Sequence, residues 1–240
     1  MSKSNGKLKV AAVADLHVKE DGSVSYRDLF TEVSSIADVL VIAGDLTDLG
    51  KPQEARSVVA DLSGCTIPVV AVLGNHDHQC YAVSEISSIF IQSGIHLLDG
   101  QMVEINGVGF VGAKGFAGGF GRHMLGSFGE PVIKAMVSES VAEAMRLENA
   151  LRKVNTKRAV VVLHYAPIAD TVLGEPQEIY PFLGSSRLAE TIDRFKVTAV
   201  VHGHAHRGIY AGVTPGGAPV FNVATHVEKP TGRPYAILEI

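Results

Sequence analysis

The chain has 240 residues, 46% hydrophobic and 19% charged, with a formal net charge of −4. That supplies enough apolar material for a sizeable core and offers no general attraction to nucleic acid or an anionic membrane. Its two cysteines, Cys65 and Cys80, stand in no paired spacing, which argues against a disulfide framework or a thiolate zinc site and fits a reducing compartment.

The first apolar run, "KVAAVA" (9–14), follows a polar lead that has no signal-peptide core, and no run approaches the length of a membrane span. A cytoplasmic protein is therefore expected. Further short runs follow at "VLVIA" (39–43), "PVVAVL" (68–73), "AVVVL" (159–163) and "VTAVV" (197–201). Nearly continuous aliphatic segments of this length read as strands buried on both faces. Between them, 25–37, 51–62, 138–154 and 185–195 carry apolar residues at helical spacing, with Pro52 suited to a first turn. Alternating strands and helices imply an α/β layered fold.

Two stretches break the alternation. Residues 94–116 read as strand, turn, strand about "ING", and 212–240 as further antiparallel strands, so two sheets are expected. The formal G-x-G-x-x-G of "GVGFVG" lies inside that hairpin, whereas a dinucleotide fingerprint must open a helix. Nine glycines between 107 and 129 read as a mobile loop near a site. No linker, repeat or low-complexity segment appears, so one domain over 1–240 is expected.

Each of the five apolar runs stops at residues of metal-ligand type. They are "DLH" (Asp15, His17), "GDLTD" (Asp45, Asp48), "GNHD" (Asn75, His76, Asp77), "LHYAP" (His164) and "HGHAH" (His204, His206). Groups just beyond the carboxyl ends of strands in open α/β sheets face one crevice. Asp15 with His17, and His204 with His206, are two apart, and in extended backbone such pairs point to one side. Gly44, Gly74 and Gly203 precede ligands where the chain must turn and approach closely. Singly, each motif reads equally as a turn, a cap or a packed histidine; together they read as a metal cluster. Asp77 reads as a turn or cap residue and His202 as packed. His78, His96 and His226 read as structural or exposed, with His226 in a loop able to reach the site. Arg122, His123 and Arg207 are candidate substrate contacts.

The ordered set D-x-H, G-D-x-x-D, G-N-H-D, H and G-H-x-H resembles the calcineurin-like metallophosphoesterase superfamily, across about four-fifths of the chain. The resemblance implies two packed mixed β-sheets flanked by helices, a four-layer sandwich with a dinuclear metal site at strand carboxyl ends. One metal would be held by Asp15, His17 and His206, and the other by Asn75, His164 and His204, with Asp45 bridging. His76 would stand near the substrate, oriented by Asp48. Such a pair of cations, about 3.5–4 Å apart, would turn a bridging water into the hydroxide that attacks phosphorus. Imidazole and carboxylate donors suit two transition-metal ions among Mn, Fe, Zn and Co.

Protein phosphatases of this superfamily carry an arginine after G-D-x-x-D and end G-N-H-E; here Leu49 and Asp77 stand in those places. The pattern looks more like the small phosphodiesterases, including those acting on cyclic nucleotides. A small phosphate ester is the expected substrate, a nucleotide among the candidates, and a phosphomonoester is the alternative. Without a basic stripe bearing aromatics, an extended nucleic-acid groove is not expected. A binding or scaffold protein on the same fold would be expected to have lost ligands, and every position here is filled. A dinuclear amidohydrolase would order its motifs differently.

Overall fold

The aliphatic runs form strands that are buried almost without interruption. A computed structural model describes residues 7–240. Its strands in chain order are β1 (Lys9–Val13), β2 (Val39–Ala43), β3 (Val69–Val72), β4 (His96–Leu97), β5 (Gln101–Ile105), β6 (Val108–Gly112), β7 (Arg158–Val162), β8 (Ala199–His202), β9 (Ala211–Val213), β10 (Pro219–Asn222) and β11 (Ala236–Glu239). The helices are α1 (Arg27–Ile36), α2 (Pro52–Leu62), α3 (Val83–Gln92), α4 (Pro131–Leu151), α5 (Tyr180–Leu183) and α6 (Ser186–Ile192).

Two mixed sheets result, ordered β11-β1-β2-β3-β4 and β5-β6-β7-β8-β10-β9. Strands β1 to β4 run parallel, as do β6, β7, β8 and β10, while β11, β5 and β9 pair antiparallel at the margins. Parallel strands need both faces covered, and three apolar layers cover them. Val10, Val41 and Val72 of one sheet meet Phe110, Val160 and Val201 of the other in the inner layer. Phe30, Val58 and Phe90 of α1, α2 and α3 cover the outer face of the first sheet. Leu147 and Leu151 of α4 and Leu188 and Ile192 of α6 cover that of the second. The four-layer α/β architecture is the expected one.

Several local expectations need correction. Strand β10 is parallel to β8, and β11 leaves the second sheet to pair with β1, so the tail is not one antiparallel unit. Helix α4 begins at Pro131, well before 138, because proline is a preformed first residue of a helix. Helix α3 had no counterpart in the sequence reading. The "ING" turn does close β5–β6, with Asn106 and Gly107 at φ 52° and 76°, the pair of positive values of a tight hairpin. The glycine-rich stretch is divided: Ala113 and Ala117 to Gly119 are buried, with the N–H groups of Gly118 and Gly119 donating to the Pro181 and Gly184 carbonyls, whereas 121–123 and 126–129 are exposed.

Candidate metal centre

Parallel strands of both sheets end at the same edge of the sandwich. From β1, β2 and β3 the chain delivers Asp15, Asp45, Asn75 and His76; from β7 and β8 it delivers His164, His204 and His206. Backbone bonds stitch the loops together. Asp15, Leu16 and His17 N–H donate to the Gly44 and Asp45 carbonyls, and Gly203 N–H donates to the His164 carbonyl at 3.2 Å.

Three overlapping groups have ligand atoms within 4.8 Å of one another: Asp15, His17 and His206; His17, Asp45 and His76; and Asp45, His164 and His204. Asp45 is shared by two of them, with Oδ2 3.4 Å from His164 Nε2 and 3.9 Å from His17 Nε2. Asn75 Oδ1 lies 2.9 Å from His164 Nε2. His206 Nε2 lies 3.1 Å from Asp15 Oδ1 and 3.5 Å from His17 Nε2.

Carbonyl oxygens set the tautomers, because a carbonyl can only accept. His164 Nδ1–H donates to the Ala43 carbonyl at 3.0 Å, and His204 Nε2–H donates to that of Phe182 at 3.2 Å. The lone pair left over on the His204 ring is on Nδ1, which is free to ligate, whereas His164 Nε2 faces the Asn75 carboxamide oxygen and Asp45 Oδ2 and ligates only once it gives up its proton. Fixing the far nitrogen in this way orients an imidazole for a metal.

The expected role of Asp48 is altered in its atom. His76 Nδ1–H donates to the backbone carbonyl of Asp48 at 2.6 Å, while the Asp48 carboxylate lies 3.8 Å from His17 Nδ1. That His17 nitrogen is buried and has no hydrogen-bond partner among the described residues. His76 N–H also donates to Asp45 Oδ1 at 2.8 Å, so the shared carboxylate is anchored on its second oxygen.

The paired ligands do not lie in extended backbone. Asp15, His17, Asp45 and His204 have φ of 60°, 47°, 51° and 70°, the left-handed region. Non-glycine residues there carry strain that surrounding structure must hold, and such residues gather at functional sites. The close approaches expected of the glycines are present. A Cβ on Gly44 would overlap the His164 ring, one on Gly74 the Asp45 carboxylate, and one on Gly203 the Asp15 carboxylate.

Charge in the cluster is strongly perturbed. Burial pulls His164 down, but the Asp45 carboxylate outweighs it and holds His164 at about 9. Burial would raise Asp45, yet His164, His76 and His17 hold it below the usual carboxylate range. Burial brings His204 to about 4, with His164 adding to the effect. Two buried carboxylates facing the four imidazoles of His17, His164, His204 and His206 and the Asn75 carboxamide oxygen, with no thiolate, form a donor set that fits a borderline transition-metal cation. The Nε2 atoms of His17 and His206, 3.5 Å apart beside Asp15 and Asp45, and the lone pair of His204 Nδ1 agree with that fit.

Other residues fall as follows. Asp77 is fully buried and accepts from Gly74 N–H (2.8 Å), Thr47 N–H (2.9 Å), Thr47 Oγ1 (2.6 Å) and Leu46 N–H (3.3 Å), the turn-holding place expected of it. Burial, and then Asp45, push its carboxyl up to about 6. His202 is packed, with Nδ1–H donating to the Gly203 carbonyl and Nε2 against the Thr171 hydroxyl. His226 stacks on His206 at 4.7 Å between ring centroids, so its loop does reach the cluster. The neighbouring Thr225 donates to the Asp15 carbonyl at 3.0 Å. Arg122, paired with His123 at 3.1 Å, and Arg207 are exposed and form no hydrogen bond with the cluster among the described residues. The sequence reading passed over Lys114 and Tyr165, which flank the cluster on the Asn75 side; only Tyr165, beside His164, carried a signal.

Among solved structures, the chain resembles a protein of Thermus thermophilus at 14% identity, covering 97% of this chain and 99% of that one with a TM-score of 0.56. It also resembles a Staphylococcus aureus protein provisionally named a 5'-nucleotidase, at 13% identity and a TM-score of 0.54, covering 96% of this chain and 52% of that one. An uncharacterized protein of Methanocaldococcus jannaschii is 32% identical over 108 residues, 45% of this chain and 44% of the relative. The chain thus matches less than half the length of that curated relative. The family model described as calcineurin-like phosphoesterase matches residues 8–208, and the chain belongs to that family.

Proposed function

We propose that the chain is a dinuclear metal-dependent phosphodiesterase of small esters. The observation that carries this reading is the position of Asp45, which faces His164 on one side and His17 on the other. Asp15, His17 and His206 would hold one cation, and Asn75, His164 and His204 the other, with Asp45 common to both. Bound there, two cations supply the positive charge that draws in a phosphate ester and polarises its phosphoryl oxygens.

The chain's own residues do the rest. His76 keeps Nδ1–H on the Asp48 carbonyl, so a second proton on Nε2 can pass to the leaving oxygen or stabilise charge on a phosphoryl oxygen. The imidazoles of His164 and His204 are held in place by the Ala43 and Phe182 carbonyls. A diester is favoured over a monoester because Leu49, exposed after Asp48, offers no guanidinium to the extra charge. Free Cys65 and Cys80 agree with a reducing, cytoplasmic setting. No helix among the described residues is long and apolar enough to cross a membrane. The two sheets share one inner layer, which supports a single domain.

The test combines substrate preference with metal content. With Mn, Fe, Zn or Co added singly, bis-p-nitrophenyl phosphate should be cleaved in preference to p-nitrophenyl phosphate, and p-nitrophenyl amides should survive. His76→Ala should lower turnover by about 100-fold to 1,000-fold while keeping its metal, whereas Asp45→Ala should lose both. Equal metal loss in the two variants would contradict the division of roles.

A further inference from the structure

A cleft of about 500 Å³ opens directly from the metal centre, beginning at Asn75 and Tyr165 and running to the flank of α4. Its volume is that of a small-molecule site. Leu73, Leu97, Leu98 and Phe116 give it apolar walls, and Lys114 and Glu139 stand among the polar groups. Resting on the phosphodiesterase reading, we propose that this cleft is the subsite for the ester's organic group, and that it takes an uncharged planar heterocycle of the nucleobase kind.

The polar groups are arranged as a donor and an acceptor around an aromatic corner. Phe116 and Tyr165 lie 5.7 Å apart between centroids, and Lys114 Nζ stands 4.8 Å and 5.2 Å from their centres. One Lys114 proton is given to the Gly115 carbonyl at 2.9 Å, which pins the ammonium and leaves two protons unassigned. The Tyr165 hydroxyl forms no hydrogen bond among the described residues, and Tyr165 borders the cleft.

Across the cleft, the Glu143 carboxylate is already engaged by Gly115 N–H and the Arg146 guanidinium. Glu139, one turn earlier on α4, forms no hydrogen bond or ion pair among the described residues. It is the acceptor left free for an exocyclic amine, while Lys114 can donate to a ring nitrogen or a carbonyl. Apolar walls with a few convergent polar groups are the usual composition of such a site.

The charge balance selects against the obvious competitor. Asp99, Glu139 and Glu143 share the cleft with Lys114, Arg146 and His78, and burial and then Lys114 hold His78 below the usual imidazole range, so three carboxylates meet two cationic side chains. A second phosphate entering here would be repelled, and a neutral base would not. Specificity would then come from buried polar groups left unpaired by the wrong ligand, the stronger kind of discrimination.

Adenosine itself is the probe, because its binding can be measured whether or not the metals act on any ester. Calorimetric or NMR titration into the metal-loaded protein should show saturable binding, with ribose failing to bind at the same concentration. Lys114→Met should weaken adenosine at least about tenfold. Glu139→Met, at a half-buried position on α4 where no hydrogen bond or ion pair is broken, removes the acceptor and should weaken it at least about threefold. Adenosine should also raise the apparent KM for bis-p-nitrophenyl phosphate without changing kcat. Absence of adenosine binding, or binding indifferent to both variants, overturns the subsite. A protein that binds adenosine in this residue-dependent way but cleaves no phosphate ester with any metal retains the subsite and loses the phosphodiesterase reading.

Discussion

At the scale of single residues, the centre depends on backbone conformations that its ligands do not prefer. Asp15, His17, Asp45 and His204 all take positive φ, which costs an L-residue roughly 1–2 kcal/mol each. Glycines beside them make room. Gly44 and Gly94 provide a matched comparison, since both have φ 90°, but a Cβ at Gly44 meets the His164 ring and one at Gly94 meets nothing within 4 Å. Gly94→Ala should therefore lose about 1 kcal/mol in denaturant unfolding and keep full metal content. Gly44→Ala should lose at least as much stability and its metal as well, because His164 must move. If the two variants bind metal alike, close approach at Gly44 is not what seats His164. The glycines were legible before the structure because only a tight turn explains them ahead of ligand-type residues. The left-handed ligands were not legible. Aspartate and histidine take positive φ more readily than most residues but still in a minority of cases, and here the Gly44 and Asp45 carbonyls that receive Asp15, Leu16 and His17 N–H help to hold it. The same limit applies to Asp48, whose carbonyl rather than carboxylate holds His76, since a sequence does not say which atom of a residue is used.

At the scale of elements, the loops after β2 and β3 are tied to each other before any cation is considered. Asp77 makes that tie, receiving four hydrogen bonds from Leu46, Thr47 and Gly74. Removing a buried acceptor leaves its donors unsatisfied, at about 1–3 kcal/mol for each group. Asp77→Ala should thus lower unfolding free energy by about 3 kcal/mol or more. It should also weaken metal binding, although Asp77 is not among the ligands, because Asp45 and Asn75 sit on the two loops it joins. Unchanged stability with reduced activity would instead make Asp77 a participant in the chemistry. The elements that carry ligands were readable because a fully buried strand is a continuous aliphatic run and its end is abrupt. Helix α3 was not readable: "VSEISSIFIQ" carries a valine and three isoleucines, β-branched residues of modest helix propensity that equally suit a strand. Its contact with the first sheet decides its conformation.

At the scale of the whole molecule, the centre spans two sheets, and their spacing must be kept for its halves to meet. Pairing five strand ends into one edge was foreseeable from their common polar termini. Strand order and the return of β11 to the first sheet were not, because short parallel strands carry little information about their neighbours. The spacing rests on small residues at the sheet interface, notably Gly112 at the end of β6. A Cβ there would stand 2.5 Å from Leu98 Cβ and 2.7 Å from Val72 Cγ1. Val72 closes β3, three residues before Asn75, so pressure at Gly112 would be transmitted to the loop proposed to hold metal. Gly112→Val should cost about 1–3 kcal/mol by overpacking and lower metal affinity, measured by titration of the metal-free protein. Leu238→Ala provides the control, since it opens a cavity in the same inner layer at the β11 edge and should cost about 2–5 kcal/mol. Having no path to Asn75 through β3, it should leave metal affinity near that of the unaltered chain. If both variants lose metal in proportion to their lost stability, the cations respond to global stability alone. If only Gly112→Val loses metal, the distance between the sheets sets the distance between the two halves of the centre.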